Sequence, residues 1–347
     1  MRRSRFILVP IAGFAAAAAL AACGSGSADP AADGEINVVT AFYPLTFATE
    51  RVGGDHVAVT NLTPAGQEPH DLELAPSDIA AIEEADFVVY LKGFIPELDA
   101  AVEEYAPDKS LDVLTAVETS QYDYTQAIDE AEGHAEEDEH ADERSEEPTA
   151  SEEATEDEHA EEAGHEHEEA PEGTDPHVWL DPTRYGQIGT AIAESLAGID
   201  DANEADYTAN AEVFNTELTE LDAEYTDALA TRTSDAIVTS HSAFGYLTDR
   251  YGLTQIAISG LSPDQEPDSQ HMAEVAEYVE TNGITTIFFE TLVSPEIADT
   301  LAAETGANTA VLNPLEGLTA EQEDAGDDYF TVMRENLAEL QTALGAA

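Results

Sequence analysis

The chain predicts an α/β fold of two (β/α) lobes, each a mostly parallel sheet flanked by helices, and three observations carry that expectation. Short β-branched runs alternate with amphipathic stretches from Ile36 to Tyr90 and again from Ala236 to Leu344, the pattern of a parallel sheet covered by helices. Between the two series, Tyr207, Ala211, Phe214, Leu218, Leu221, Tyr225 and Leu229 form one apolar stripe at helical spacing, so a single long, rigid helix is expected to join the lobes. From 121 to 173 the large apolar residues nearly vanish into a tract of Glu, Asp, Ala and His. Such a tract cannot bury enough surface to offset its ordering entropy, and it is expected to be a disordered acidic, His-rich insertion. The 347 residues are enough for two lobes, each with its own core.

The elements follow in order. Residues 1–22 read as an export signal: Arg2, Arg3 and Arg5 precede an apolar run that ends in Leu20-Ala21-Ala22-Cys23. This ending is similar to a bacterial lipoprotein box, in which the cysteine carries the lipid. Cys23 is the sole cysteine, so an intrachain disulfide is excluded and an anchoring role is expected. A flexible linker over 23–34 leads to the first lobe, 35–200. There Ile36–Ala41 reads as a strand, Leu45–Val52 as a helix and Val57–Leu62 as a strand. Pro76-Ser77-Asp78-Ile79 opens a helix, and Phe87–Tyr90 is a buried strand. After the insertion, Tyr185–Leu196 is helical, and the joining helix fills 201–231 from Asn203 to about Ala230. The second lobe, 232–347, alternates strand 236–239, helix 243–251, strand 254–258, helix 269–281, strand 285–289, helix 295–304, strand 309–312 and helix 328–344.

A formal net charge of -64 disfavours nucleic acid or an anionic membrane face as an electrostatic partner and favours cations. Much of that charge is solvated surface.

Four side chains sit where strands of this pattern end, the place where open α/β sheets put ligands. They are His70 in Glu68-Pro69-His70-Asp71, His177 in Asp175-Pro176-His177-Val178-Trp179-Leu180-Asp181-Pro182, His241 in Ser240-His241-Ser242-Ala243-Phe244, and Glu316 in Asn313-Pro314-Leu315-Glu316. The prolines around His177 stiffen the backbone on both flanks before any ligand arrives. Alone, that segment also reads as a strand-to-helix turn with Asp181 as cap and Trp179 in the core. Three imidazoles with one carboxylate suit tetrahedral zinc better than manganese, which favours more oxygen ligands. Around them, Asp181 is a helix cap or a carboxylate that orients an imidazole. Glu290 is a supporting or lobe-closing carboxylate that could compete with Glu316 as ligand, and Trp179 is packing that shields the site. His56 and His271 read as surface residues. The insertion holds His134, His140, His159, His165 and His167, either low-affinity metal-capturing sites or bystanders in a solvated acidic linker.

These motifs resemble the metal-binding receptor lipoproteins of ABC importers, the family 9 solute-binding proteins, and within them the zinc branch. The resemblance implies two lobes around a metal cleft, with ligands at His70, His177 and His241 and a variable fourth position at Glu316 that water fills in some members. It further implies a monomer held by lipid at the extracytoplasmic face of the cell membrane, which passes Zn2+ to a permease and is not an enzyme. In manganese-type relatives the positions of His241 and Glu316 are Glu and Asp; here they are not. A receptor for manganese or another divalent metal, an adhesin and, further off, a secreted zinc hydrolase are the alternatives.

Overall fold

The computed structural model describes residues 34–120, 173–265 and 267–346. The expected export signal, Cys23 with the expected linker up to residue 33, and the five histidines of the expected insertion lie outside the described residues.

Each lobe is built on a four-stranded, all-parallel sheet. In the first lobe, β1 (Ile36–Thr40), β2 (Val57–Asn61), β3 (Phe87–Tyr90) and β4 (Ser110–Asp112) are ordered β2-β1-β3-β4. In the second, β5 (Ala236–Thr239), β6 (Thr254–Ala257), β7 (Thr286–Phe289) and β8 (Asn308–Val311) are ordered β6-β5-β7-β8. The two orders are the same, so both lobes carry a crevice where the chain reverses direction across the sheet, beside β1 and β3 in one and β5 and β7 in the other. β1 lies in register with both neighbours, Val38 opposite Val59 and Phe87; a central strand buried on both faces explains its run of Val38 and Val39.

Helices α1 (Tyr43–Gly53), α2 (Pro76–Glu84) and α3 (Pro96–Tyr105) cover the first sheet, and each has proline in its first turn, where the missing N–H is no loss. The insertion is followed by α4 (Pro182–Ile199) and α5 (Glu204–Leu229). α5 has 26 residues and is therefore about 39 Å long, and its buried face is the stripe Tyr207 to Leu229 read from the sequence. α4 and α5 pack closely because α4 has glycine where they meet: a Cβ on Gly189 would lie 2.7 Å from the Phe214 ring, and one on Gly186 2.5 Å from Asn215 Oδ1. The second lobe adds α6 (Gly245–Tyr251), α7 (Ser269–Thr281), α8 (Glu296–Thr305), α9 (Ala320–Ala325) and α10 (Tyr329–Leu344). One large core runs from the first sheet through α4, α5 and α10 into the second lobe, and a smaller one lies between β5–β7, α7 and α8.

Three elements were not expected. α3 buries only Leu98, Ala101 and Val102, β4 is a three-residue edge strand, and α9 buries nothing, held instead by the reciprocal cap of Thr319 and Gln322. His271, expected at the surface, is buried with its Nε2 2.9 Å from the Ala257 carbonyl. Among the described residues no helix is long and apolar enough to cross a membrane.

Candidate metal centre

Each of the four candidate side chains arrives on a segment fixed by its own local chemistry. His70 lies in the short 3-10 turn Pro69–Asp71, whose first N–H groups are capped when Glu68 Oε1 accepts from His70 N at 3.2 Å. His177 precedes the turn Val178–Leu180, and Asp175 Oδ1 accepts its backbone N–H at 2.9 Å. His241 lies two residues past the end of β5, with its carbonyl oxygen accepting from Thr239 Oγ1 and Gln255 Nε2 at 2.8 and 2.9 Å. Glu316 follows Leu315, which has a φ of 58° and is the sole non-glycine residue with positive φ among those described. Such a conformation costs roughly 1–3 kcal/mol and persists where the surroundings enforce it. Here they do: Asn313 Oδ1 accepts from Leu315 N at 2.8 Å, Asn336 holds both backbone groups of Asn313, and the Trp179 indole N–H donates to Pro314 O at 2.7 Å.

The result is convergence. One ligand atom from each of His70, His177, His241 and Glu316 lies within 4.8 Å of all the others. Glu316 Oε1 is 3.0 Å from His177 Nε2 and 3.4 Å from the Nε2 atoms of His70 and His241, and the Nε2 atoms of His177 and His241 are 3.4 Å apart. Four donors about 2.0–2.1 Å from a tetrahedral zinc stand about 3.3 Å from one another. The four separations of 3.0–3.4 Å are close to the edges of such a tetrahedron. His177 and His241 are fully buried and Glu316 is 1% exposed. His70 Nε2 and Glu316 Oε2 are buried atoms without a hydrogen-bond partner, a cost that a cation at the centre would remove.

Carboxylates also stand behind the imidazoles. Asp175 Oδ1 is 2.8 Å from His177 Nδ1, and Glu290 Oε1 is 2.6 Å from His241 Nδ1. In the neutral ring that a metal requires, each bond keeps the proton on Nδ1 and leaves the Nε2 lone pair for the centre. Ser240 Oγ also donates to Glu290 Oε1. Burial alone would push the His177 imidazole down, but its bonds to Asp175 and Glu316 outweigh it and raise its pKa. Burial opposes the charge of His241 too, yet the charge and hydrogen bond of Glu290, with Glu316 beside it, hold it well above the usual imidazole value. Against its own burial, Glu316 is held well below the carboxylate range by His70, His177 and His241. Glu68 goes the other way: burial, then the charge of Glu316, push it up to about 9, so it is a neutral acid at pH 7.

The supporting residues divide. Glu290, read as a supporting or lobe-closing carboxylate, lies against His241. Trp179 packs its ring 5.3 Å from that of His177 and shields the floor. Asp181, read as either cap or imidazole partner, is the cap: Oδ1 accepts from Thr183 N at 2.7 Å and Oδ2 pairs with Arg184 at 2.5 Å. Arg184 takes up the charge that would otherwise orient an imidazole. Asp175 and Glu68 were not singled out from the sequence. For Asp175 a signal existed, since an Asp-Pro-His run places the carboxylate two residues from its ring. His56 is apart from the site, paired with Asp206 at 3.0 Å.

The family model described as the periplasmic zinc-uptake complex component A matches residues 38–343. The zinc-binding protein AdcA of Streptococcus pyogenes (serotype M3) is 37% identical over 316 residues, 91% of this chain and 57% of that protein. This chain thus spans little more than half the length of that relative. The high-affinity zinc uptake system protein ZnuA of Bacillus subtilis is 36% identical over 330 residues, 94% of this chain and 93% of its own. Among solved structures, the Zn(II)-bound ZnuA-like domain of Streptococcus pneumoniae AdcA is similar with a TM-score of 0.67 and 32% identity, covering 90% of this chain and 99% of that domain.

Proposed function

We propose, from the premise that this chain belongs to the ZnuA family of zinc-uptake components, that it is an extracytoplasmic receptor that captures Zn2+ between its lobes and delivers it to the permease of an ABC importer. The observation that carries the proposal is the cluster of four donor atoms within 4.8 Å, two from each lobe. His70, His177, His241 and Glu316 are the proposed ligands, with zinc as cargo and no covalent chemistry required. A tetrahedral, nitrogen-rich, single-carboxylate site favours zinc over manganese, which would need further oxygens. Cys23 is the proposed lipid anchor, Gly24 to Asp33 its tether, and the insertion histidines a low-affinity capture region. The protein works as a monomer in this reading.

Equilibrium dialysis against mixed zinc and manganese, followed by elemental analysis, tests the ligand set. One tightly bound zinc in the wild type and none in His241→Ala is expected. A variant that keeps its tight zinc would overturn the assignment.

A further inference from the structure

Tyr246 links the two lobes behind the metal centre. It stands on α6 in the second lobe, five residues after His241 in the chain, and is fully buried. Its hydroxyl accepts from the backbone N–H of Ser120 at 2.9 Å and donates to the backbone carbonyl of Asp175 at 2.9 Å, both in the first lobe. Asp175 N in turn donates to Ser120 O at 3.1 Å. These three bonds close a cycle, and the hydroxyl is its one side-chain member, donating once and accepting once. The Arg184 guanidinium lies over the Tyr246 ring, 4.9 Å from its centroid, while Arg184 Nε donates to Glu118 O at 3.0 Å. One side chain therefore holds both the ring and the chain just before Ser120.

We infer that Tyr246 is a positioning residue for metal binding, which acts from the second lobe on His177 of the first through Asp175. The aim of the Asp175 carboxylate depends on its backbone. Oδ1 meets His177 N and Nδ1 at 2.9 and 2.8 Å, but Oδ2 is buried without a hydrogen-bond partner, so no other described side chain fixes the plane of the group. Pro176 confines the Asp175 backbone to extended conformations, and the cycle pins both its N–H and its carbonyl. Without the hydroxyl, the Ser120 amide and the Asp175 carbonyl lose their shared partner. The carboxylate then sits less firmly on Nδ1, and Nε2 is a less well aimed donor. Removing a support of this kind outright lowers metal affinity about 10–100-fold; Tyr246 acts one step further out, so a several-fold effect is expected. The link also joins the two buried imidazoles, since a shift of α6 against the first lobe moves the support of His177 together with the segment that carries His241. This inference rests on the metal centre of the proposed function.

Two measurements test it, both on the full chain with zinc. In competition with a zinc chelator, Tyr246→Phe should lose affinity several-fold against wild type. In an Asp175→Ala background, where no carboxylate is left to position, the same substitution should change affinity less than about twofold. Equal losses in the two backgrounds, or wild-type affinity in Tyr246→Phe, overturn the inference, because a hydroxyl that merely stabilises the fold would act alike with and without Asp175. The second measurement needs only the single variant. By imidazole NMR of the zinc-loaded protein, the His177 Nδ1–H should exchange with water several-fold faster in Tyr246→Phe. The His241 Nδ1–H, supported by Glu290, should keep its wild-type rate. Unchanged exchange at His177, or the same acceleration at both rings, overturns the inference. Failure of the wild type to bind zinc would instead sink the proposed function, and the Nδ1–H comparison in metal-free protein would then judge the link.

Discussion

Asp175→Asn isolates what a supporting carboxylate does for the site. Asp175 is 1% exposed and its Oδ1 meets both the backbone N–H and Nδ1 of His177, at 2.9 and 2.8 Å. Asparagine keeps the shape and can still accept both bonds, but it removes the charge. The backbone bond is the same with and without metal, so the effect on affinity comes from the Nδ1 bond. A hydrogen bond to a charged acceptor contributes about 1.5–3 kcal/mol and a neutral one about 0.5–1.5. The difference of about 1–1.5 kcal/mol is roughly a tenfold loss in zinc affinity. The proton complicates this in a useful way. The carboxylate that strengthens His177 as a ligand also raises its pKa, so the substitution weakens the competing proton along with the metal. Titration against a zinc chelator of known affinity should therefore show about a tenfold loss at pH 8.5, where protons compete least, and a smaller loss at pH 6. Wild-type affinity at pH 8.5 in the variant would refute the role given to Asp175, and a loss that grows toward low pH would refute the linkage.

Other expectations follow from the same geometry. Zinc affinity of the wild type should begin to fall at a pH above the ordinary imidazole value of about 6.5, because His177 and His241 are both raised; constant affinity from pH 8.5 to 6 would contradict it. Metal-free stability should move the opposite way. Raised imidazoles stabilise the fold fully below about pH 6.5 and lose that contribution as pH rises through their folded values, while Glu68, raised to about 9, also disfavours the fold as pH climbs from about 4.5. Melting temperature without metal should thus decline from pH 6 to 9, and a rise would count against these shifts. Glu316→Gln should weaken zinc by about 2–3 kcal/mol, the value of an ionised donor in a dry site, measured by the same competition. Gly189→Ala, which in an open helix would stabilise by about 0.5–1 kcal/mol, should instead destabilise by about 1–3 kcal/mol because its Cβ meets Phe214 at 2.7 Å; denaturant unfolding decides the sign.

The parts of this fold that were legible in the sequence are those whose burial is periodic. β5 and α7 occupy the residues read for them, and α5 differs by a residue at each end, because each presents a continuous apolar face. α3, β4 and α9 were not legible: their contacts are few and their stability comes from neighbours and caps, which leave little pattern. The four clustered side chains were legible because the residues beside them are unusual, prolines around His177 and a strand end before His241. Their supports were not, with the exception of Glu290. Glu68 and Asp181 show why composition misleads here: the first sits beside another carboxylate and is neutral, the second is claimed by Arg184. Which carboxylate faces which ring depends on distances that no spacing in the chain encodes.

Charge balance explains how so polar a centre is tolerated in a dry interior. Without metal, Glu316 is held in its charged form, Glu68 is neutral, and the carboxylates that face His177 and His241 favour a proton on each ring. A divalent cation that enters as those two protons leave changes the total charge of the cluster by nothing. Both states therefore satisfy the same buried carboxylates, and neither leaves a large uncompensated charge to be solvated at a cost of several kcal/mol. The protons act as placeholders, keeping the rings paired with Asp175 and Glu290 in the orientation that the metal uses. Binding then requires exchange rather than assembly, and whatever disturbs a supporting carboxylate from outside alters the terms of that exchange for proton and metal alike.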